Sequence, residues 1–156
     1  MIEINKSQNA DSRTMIGEPN KQELLNTSKQ HIEDVRKGCK YFADRLIEIG
    51  ERHDHTKIEN IDQFFEDYST GVTGDDFKKM KWYQTHLTER HHLKDRVPED
   101  VNLLDVLERV IDITMAGMGR SGNVYTEPLD DEILQKAYLN TIEMFKKEIK
   151  VNTDAS

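Results

Sequence analysis

The stretch HIEDVRKGCKYFADRLIEIG, residues 31–50, repeats its apolar side chains at alternating spacings of three and four residues. This period is typical of an α-helix that packs one apolar stripe against a core. The stripe consists of Ile32, Val35, Cys39, Phe42, Leu46 and Ile49. Upstream, Asn20 followed by Glu23 resembles a helix-capping box. The sequence therefore predicts a long helix over about residues 20–50, with His31 at the edge of the buried stripe.

The same kind of pattern predicts the helices in the rest of the chain. They cover about residues 60–68, 74–89, 103–117 and 131–150. Asn102 and Asp130 are suitable caps for the last two of these helices. No convincing strand pattern and no internal repeat is apparent in the sequence. We therefore expect an all-α fold of about five helices, with one domain over residues 19–150 between flexible tails at 1–18 and 151–156.

Composition limits the classes of protein to which the chain can belong. Its 156 residues are 35% hydrophobic and 33% charged, and the formal net charge is −8. These values fit a helical domain with a narrow apolar interior, and they argue against non-specific nucleic-acid binding, which needs a basic surface. The single cysteine, Cys39, excludes an intramolecular disulfide and is compatible with the cytoplasm. No apolar run approaches the roughly 20 residues of a membrane span, so no membrane partner is expected.

Residues 78–96 depart from the acidic character of the chain. They carry six basic and two acidic side chains, a local charge of +4. The basic residues are Lys78, Lys79, Lys81, Arg90, Lys94 and Arg96. The segment is either a solvated helix face or a local attraction for a small anion. Within it, Trp82 and Tyr83 are either core residues or a surface that stacks on a base.

The histidines form an informative order when they are considered together with the aspartates. That order is His31, His53-Asp54, His86, His91-His92 and Asp112. Each histidine alone is explained by an ordinary core or surface position, and His55 by an exposed turn. On helices whose apolar faces must meet, however, the set could converge as in the metal sites of helical bundles. Imidazoles with carboxylates suit Mn, Fe, Co, Ni or Zn, and an aspartate can bridge two ions.

The segment HDHTK at 53–57 resembles the HD-x-G/S-K form of the central motif of the HD superfamily of metal-dependent phosphohydrolases. The histidines at 86 and 91–92 are similar to the added histidines of its two-metal branches. HHLKDR lacks the glycine-tyrosine-proline continuation of the branch that binds cyclic di-GMP. The chain most resembles a group of small, phage-encoded, uncharacterised HD-like proteins, over about residues 20–150. The matching segments include HIEDV at 31–35, RHDHTK at 52–57 and DITMAGMGRSG at 112–122.

The resemblance implies an HD-domain-like helical bundle, a cofactor of one or two divalent transition-metal ions, and a set of site residues. The implied metal ligands are His31, His53, Asp54, His86, Asp112 and one of His91 and His92. Asp54 would bridge two ions. Lys57 would contact the substrate phosphate or stabilise the loop, and Asp54 and Lys57 would be the catalytic residues. In a phage-encoded protein, the location would be the host cytoplasm.

Two further residues are candidates from their own chemistry. Glu108 lies four residues before Asp112 on the same predicted helix and could orient a metal-ligating histidine, or it is a surface residue. Arg120 in GRSG could bind a substrate phosphate together with backbone amides, or it belongs to an ordinary loop that ends the helix.

These features predict a metal-dependent phosphohydrolase, either a phosphomonoesterase or a phosphodiesterase, that acts on a nucleotide or a similar small phosphorylated molecule. The main alternative is a non-catalytic phage protein that uses the same metal pocket to sequester a nucleotide or a signalling molecule. A third interpretation is a structural or regulatory helical protein whose histidines belong to a polar core. An exposed strip of the first or last helix could support a homodimer.

Overall fold

The computed structural model describes residues 1–6, 18, 20–124 and 126–153. The described chain is mostly helical, which confirms the predicted helical class. Its elements are β1 (Ile2–Asn5), α1 (Lys21–Arg52), α2 (His55–Glu59), α3 (Ile61–Ser69), α4 (Gly74–Lys78), α5 (Lys81–His86), α6 (Leu103–Ser121), α7 (Asp131–Lys147) and β2 (Ile149–Asn152). The chain divides into two compact units, residues 1–45 with 142–156, and residues 46–141. Most of the predicted N-terminal tail lies outside the described residues.

The first unit contains two strands that the sequence did not predict. β1 and β2 pair in parallel, with Ile2 opposite Ile149 and Asn5 opposite Asn152. Both strands have only four residues, and their partners lie at opposite ends of the chain, so no local pattern could reveal the pairing. The outward-facing carbonyls of β1 also have partners, because the Lys37 ammonium donates to Glu3 O at 3.0 Å and the Gln30 amide donates to Asn5 O at 2.6 Å.

An aromatic cluster joins α1 to the end of α7 within this unit. The Phe145 ring lies 4.9 Å from the Phe42 ring and 5.5 Å from the Tyr41 ring, measured between centroids. Gly38 lets the two helices approach, because a Cβ at this position would lie 2.9 Å from Cζ of Phe145. The glycine therefore leaves the space that the Phe145 ring occupies beside α1.

The predicted helix over residues 20–50 is confirmed as α1, and Asn20 caps it. The Asn20 Oδ1 atom accepts hydrogen bonds from Gln22 N at 2.9 Å and Glu23 N at 3.2 Å. The predicted burial of the apolar stripe is only partly confirmed. Phe42, Leu46 and Ile49 are half-buried, whereas Ile32 and Val35 are 50% and 49% exposed and Cys39 is an exposed free thiol.

The buried core of the second unit includes two residues of the segment between α5 and α6. Leu93, Val101 and Ala137 have no exposed surface, and they pack with the partly buried Val106, Leu129 and Ile133. Trp82 forms a second buried position, 3% exposed, with its ring stacked on Phe64 at 3.6 Å between centroids. The core interpretation of Trp82 is therefore confirmed, and its ring has no free face for a base.

The predicted helix over residues 74–89 is two helices. α4 ends at Lys78, Met80 adopts an extended conformation with ψ of 156°, and α5 begins at Lys81. The reason is a tertiary cap, since the buried Asp67 carboxylate on α3 accepts a hydrogen bond from Trp82 N at 2.7 Å. A side chain distant in sequence thus starts a second helix, which the apolar period of the segment cannot indicate.

The two long helices of the C-terminal half begin where the sequence predicts. Asn102 and Asp105 form a reciprocal capping box at the start of α6. Asp130 Oδ1 accepts from Glu132 N at 2.9 Å at the start of α7. α6 continues to Ser121, four residues beyond the prediction, and ends at Gly122 with φ of 71°. α7 ends at Lys147 instead of about 150 because β2 follows it.

None of the helices among the described residues is both long and apolar enough to cross a membrane.

Candidate metal centre

The loop between α1 and α2 is built around a left-handed residue. Asp54 follows His53 and has φ of 56° and ψ of 21°, a conformation uncommon for residues other than glycine but tolerated best by Asn and Asp. Its side chain makes no capping bond to α2. The Asp54 carboxylate instead contacts side chains of the second unit, among them Lys57 of α2 and histidines of other segments.

The first branch of the site pairs His53 with α6. His53 Nδ1 lies 2.9 Å from Glu108 Oε1, and His53 Nε2 lies 3.5 Å from Asp112 Oδ1. Because an ionised carboxylate only accepts hydrogen bonds, Nδ1 carries a proton, and Nε2 is the nitrogen left to bind a metal ion. This is the arrangement in which an outer carboxylate orients a metal-ligating histidine. The structure therefore places Glu108 where the sequence suggested an orienting residue.

The second branch brings together histidines from α5 and the loop after it. His86 Nε2 lies 2.9 Å from His92 Nε2 and 3.6 Å from Asp54 Oδ1. His91 Nε2 lies 3.7 Å from the same oxygen, while Asp54 Oδ2 lies 3.6 Å from His53 Nε2. The two oxygens of Asp54 thus face two different branches, as a bridging ligand would require.

Three buried atoms of this cluster have no hydrogen-bond partner. They are Asp54 Oδ1 and both ring nitrogens of His91, a residue only 1% exposed. His91 Nδ1 is 3.2 Å from Glu108 Oε1, close enough for an ion pair but without the geometry of a hydrogen bond. Buried polar atoms without partners are costly and rare, and a bound cation is one way to satisfy them.

The ligand atoms among the described residues fall into three overlapping groups, in each of which all atoms lie within 4.8 Å of one another. The groups are His53, His91 and Asp112; Asp54, His91 and His92; and Asp54, His86 and Glu89. Nitrogen and oxygen donors bind a transition metal at about 2.0–2.2 Å, so ligand atoms about 3–4 Å apart can share one ion after small shifts. The donor set therefore fits the predicted divalent metals.

The electrostatics of the cluster keep His86 and His92 neutral. Burial, and then the neighbouring His91 and His86, lower the pKa of His92 to about 4. Burial also lowers the pKa of His86. Both rings are therefore uncharged at neutral pH, which is the form that binds metals.

In the first branch, the pKa of the histidine is raised instead of lowered. Burial alone would lower the pKa of His53, but the Glu108 hydrogen bond and the charges of Asp54 and Asp112 raise it overall. Burial alone would raise the pKa of Glu108, but His91 and His53 beside it lower it overall. An acidic surrounding of this kind favours positive charge, from a protonated imidazole or from a metal ion.

Lys57 contacts Asp54 directly. Its ammonium donates a short hydrogen bond to Asp54 Oδ2, on the side that faces His53. Burial alone would raise the pKa of Asp54, but Lys57 and the neighbouring imidazoles lower it overall. Asp54 is therefore ionised, and Lys57 supplies a positive charge within the site.

Glu89 is the site residue that the sequence reasoning missed. It is 7% exposed, and its carboxylate accepts hydrogen bonds from Asp54 N at 2.8 Å, from Thr56 N at 3.0 Å and from the Thr56 hydroxyl. Burial alone would raise the pKa of Glu89, but the Thr56 hydrogen bonds lower it overall. Its position three residues after His86 and two before His91 was the available signal.

Four predicted residues are outside these groups: Lys57 and Glu108, which contact Asp54 and His53, and also His31 and Arg120. His31 is exposed on α1 in the first compact unit and belongs to none of the three groups formed by the described residues. Arg120 is exposed in the last turn of α6, about 12 Å along the helix axis from Asp112. The roles of His31 as a ligand and Arg120 as a phosphate contact stay predictions. His55, which was left out of the set, is also in none of the groups.

The basic segment 78–96 is largely neutralised by local acids. Lys78 pairs with Asp95 at 3.4 Å, and Lys79 pairs with Asp76 at 2.7 Å. Lys94 pairs with Glu127 at 3.0 Å, while Arg90 forms a two-nitrogen contact with the buried Asp105. Most of the basic side chains of the segment are therefore paired with acids outside the candidate metal centre, whereas Lys57 contacts Asp54 within it.

No family model matches the chain, and no curated protein and no solved structure matches it either. The resemblance to the HD superfamily therefore stays a prediction.

Proposed function

We propose that the protein is an HD-type, metal-dependent phosphohydrolase that acts on a nucleotide or a similar small phosphorylated molecule. One observation carries the proposal: the two carboxylate oxygens of Asp54 face two separate sets of imidazole nitrogens, and Oδ1 is buried without a hydrogen-bond partner. A carboxylate in that position is suited to bridging two cations. A polar core built only for stability would pair such atoms with one another.

The residues fit one or two divalent transition-metal ions. His53, Asp112 and Asp54 Oδ2 would hold one ion. Asp54 Oδ1 with His86 and His92 would hold the other, and His91 lies close enough to join either set. When bound, such ions would stabilise negative charge on the phosphoryl group and lower the pKa of an attacking water molecule.

The protein side chains would contribute orientation and charge. Glu108 fixes the ring of His53, and Lys57 places an ammonium beside Asp54, where it can approach a phosphate oxygen. The burial of His91 and His86 keeps water away from the inner side of the cluster, which strengthens every charge interaction there. Phosphate esters are negatively charged, so the bound cations together with Lys57 would attract them despite the acidic side chains of the site and of the chain.

Metal content and turnover test the proposal. Protein purified without a histidine tag should contain Mn, Fe, Co, Ni or Zn, or bind one of them on reconstitution. The loaded protein should hydrolyse bis-(p-nitrophenyl) phosphate if it is a diesterase, p-nitrophenyl phosphate if it is a monoesterase, or a member of a nucleotide panel.

Variants locate the activity in the site. Asp54→Ala should abolish turnover, whereas Asp62→Ala, an exposed aspartate on α3, should retain it. Activity that survives Asp54→Ala, or failure of the protein to bind any of these metals, would contradict the proposal. Nucleotide binding without turnover would favour the sequestering alternative.

A further inference from the structure

Glu89 lies between the two histidine elements of the second branch, yet it belongs to no recognised motif. Both of its carboxylate oxygens are directed at the loop that carries Asp54. Oε2 accepts from Asp54 N at 2.8 Å, and Oε1 accepts from Thr56 N at 3.0 Å and from the Thr56 hydroxyl. Thr56 is 4% exposed, so this contact is shielded from solvent.

The first consequence concerns the backbone of Asp54. Its left-handed conformation, with φ of 56°, is less favourable than a right-handed one for a residue with a side chain. The hydrogen bonds on either side of it, at Asp54 N and Thr56 N, hold the loop in this conformation. Glu89 therefore helps to fix the direction of the bridging carboxylate.

The second consequence concerns the protons of the network. A threonine hydroxyl has one proton, and in this site the hydroxyl donates it to the Glu89 carboxylate, which only accepts. The same oxygen lies 2.8 Å from His86 Nδ1, so it must accept a hydrogen bond from an N–H at that nitrogen. His86 therefore carries its proton on Nδ1 and presents the lone pair of Nε2 toward Asp54 and His92.

Glu89 is better suited to positioning than to metal binding. Its oxygens already have three donors, and Oε1 lies 3.5 Å from His86 Nδ1, the nitrogen opposite the one that faces the cluster. The Glu89 carboxylate therefore lies on the Nδ1 side of the His86 ring, whereas Asp54 Oδ1 and His92 lie on the Nε2 side. Trp82 supports the same ring by stacking, with 4.8 Å between centroids and 14° between planes.

We propose that Glu89 is a positioning residue that acts through Thr56 to hold His86 Nε2, and through the backbone of the loop to hold the Asp54 carboxylate, in the arrangement that receives a cation. This inference rests on the proposed metal centre. It assigns to Glu89 and Thr56 a role that the HD-like motif does not contain.

Nitrogen-15 NMR of the histidine rings tests the proton network without metal. In the metal-free wild-type protein at pH 7.5, His86 should show a protonated Nδ1 and an unprotonated Nε2, with its signals assigned from a His86→Gln variant. Thr56→Val and Glu89→Gln should shift the ring toward the Nε2-protonated form, and Thr56→Ser should preserve the wild-type form. A wild-type His86 protonated on Nε2, or variants with unchanged ring signals, would overturn the proposal.

Metal titration of the same proteins gives the second readout. Glu89→Gln and Thr56→Val should bind Mn²⁺ or Co²⁺ at least ~10-fold more weakly than wild type, the usual effect of losing an outer partner of a ligand. Thr56→Ser should restore most of the affinity. Glu99→Gln, at an exposed position in the following loop, should bind as wild type does.

The two measurements separate the possible failures. If wild type binds metal and Glu89→Gln binds it equally well, the positioning role is wrong and the proposed function stands. If wild type binds no metal, the proposed function is wrong, and the ring signals alone decide whether Thr56 and Glu89 control His86. A loss of stability in Glu89→Gln with unchanged ring signals and affinity would mark the residue as merely structural, which also overturns the proposal.

Discussion

The Nε2 atoms of His86 and His92 lie 2.9 Å apart, although one ring belongs to α5 and the other to the loop that follows it. With the His86 proton on Nδ1, its Nε2 has only a lone pair, so the pair can share one proton or point jointly at a cation. Two protonated rings at this distance would repel each other. Protonation of His86 and His92 is therefore linked to the binding of a metal ion by the same two nitrogens.

Acid should destabilise the metal-free protein through this pair. Burial, and then His91 and His86, lower the pKa of His92 from the ordinary value of 6.5 to about 4. The folded chain therefore binds this proton less tightly than the unfolded chain does, and the free energy of unfolding falls as the pH decreases from 6.5 to 4. After allowance for solvent screening around a partly exposed ring, we expect a loss of about 2 kcal/mol.

Urea unfolding at several pH values measures this loss. His92→Gln should flatten the decline between pH 6.5 and 4, and the exposed His31→Gln should leave it as in wild type. His53, whose pKa is raised, acts in the opposite direction and loses its contribution as the pH rises above 6.5, so the comparison of variants isolates His92. Equal slopes for wild type and His92→Gln would contradict the assignment.

Lys57→Gln should separate metal binding from turnover. The Lys57 ammonium occupies Asp54 Oδ2, which the proposed function assigns to a cation. Removing the ammonium removes a competitor, so Mn²⁺ affinity should be equal to or greater than that of wild type. Turnover of the phosphate ester should fall at least ~10-fold, because the charge that would meet the phosphate is lost.

Calorimetric titration and the p-nitrophenyl assays check both parts of this prediction. Lys57→Arg keeps the charge and should retain more activity than Lys57→Gln, and Lys136→Gln, on the exposed face of α7, should behave as wild type. A Lys57→Gln protein with ~10-fold weaker metal binding would show that Lys57 supports the loop and does not compete with the ion.

The sequence predicted those parts of the fold that depend on local interactions. The three-and-four spacing and the caps at Asn20, Asn102 and Asp130 placed the starts of the long helices correctly, because helix periods and caps involve residues close in sequence. The pairing of β1 with β2 and the break before α5 depend on partners far along the chain. No window of sequence contains both partners, so neither could be predicted.

The same distinction applies to the candidate site: residues with metal-binding side chains could be predicted from the sequence, and a residue defined by its distant contacts could not. Side-chain chemistry predicted a set of ligands, since few residue types bind transition metals. The structure brings His53, Asp54, His86, the His91-His92 pair and Asp112 into the three groups, whereas His31 is in none of them. Glu89 was missed because a glutamate in a charged segment is most often solvated, and only its burial under the HDHTK loop reveals its partners. Its position between His86 and His91 was the only signal in the sequence, and that spacing does not show whether the side chain is buried.

Gly38→Ala should destabilise the first unit, although alanine favours helices. The added Cβ would lie 2.9 Å from Cζ of Phe145, a ring that Tyr41 and Phe42 contact. Overpacking of this kind costs about 1–3 kcal/mol, and the helix preference of alanine returns only about 0.5–1 kcal/mol. Thermal and urea unfolding should therefore show a net loss of about 1 kcal/mol.

Gly50→Ala is the matched control on the same helix. A Cβ at Gly50 would meet nothing within 4 Å, so the variant should be more stable by about 0.5–1 kcal/mol. In a Phe145→Leu background, Gly38→Ala should cost less stability than it does in the wild-type protein, because the ring that the Cβ would meet is absent. A Gly38→Ala protein stabilised as much as Gly50→Ala would show that α1 and α7 do not approach closely at this point.

Asp67→Asn should weaken the packing of Trp82 that supports the His86 ring. The buried Asp67 carboxylate accepts from Trp82 N at 2.7 Å and from the Gln63 amide at 2.9 Å, and Trp82 in turn stacks on His86. An asparagine keeps the shape but loses the charge that favours a helix start, so the free energy of unfolding should fall by about 1–2 kcal/mol. Because Trp82 is the only tryptophan, its fluorescence reports the change directly.

The matched control is Asp62→Asn on the same helix, where the side chain is exposed and the expected change is within about 0.5 kcal/mol. Asp67→Asn should also shift the Trp82 emission toward that of an exposed indole before global unfolding, because the α5 start loosens first. If both variants unfold alike and the Trp82 emission is unchanged, the cap does not stabilise α5, and the support of His86 depends on the stacking of Phe64 and Trp82 alone.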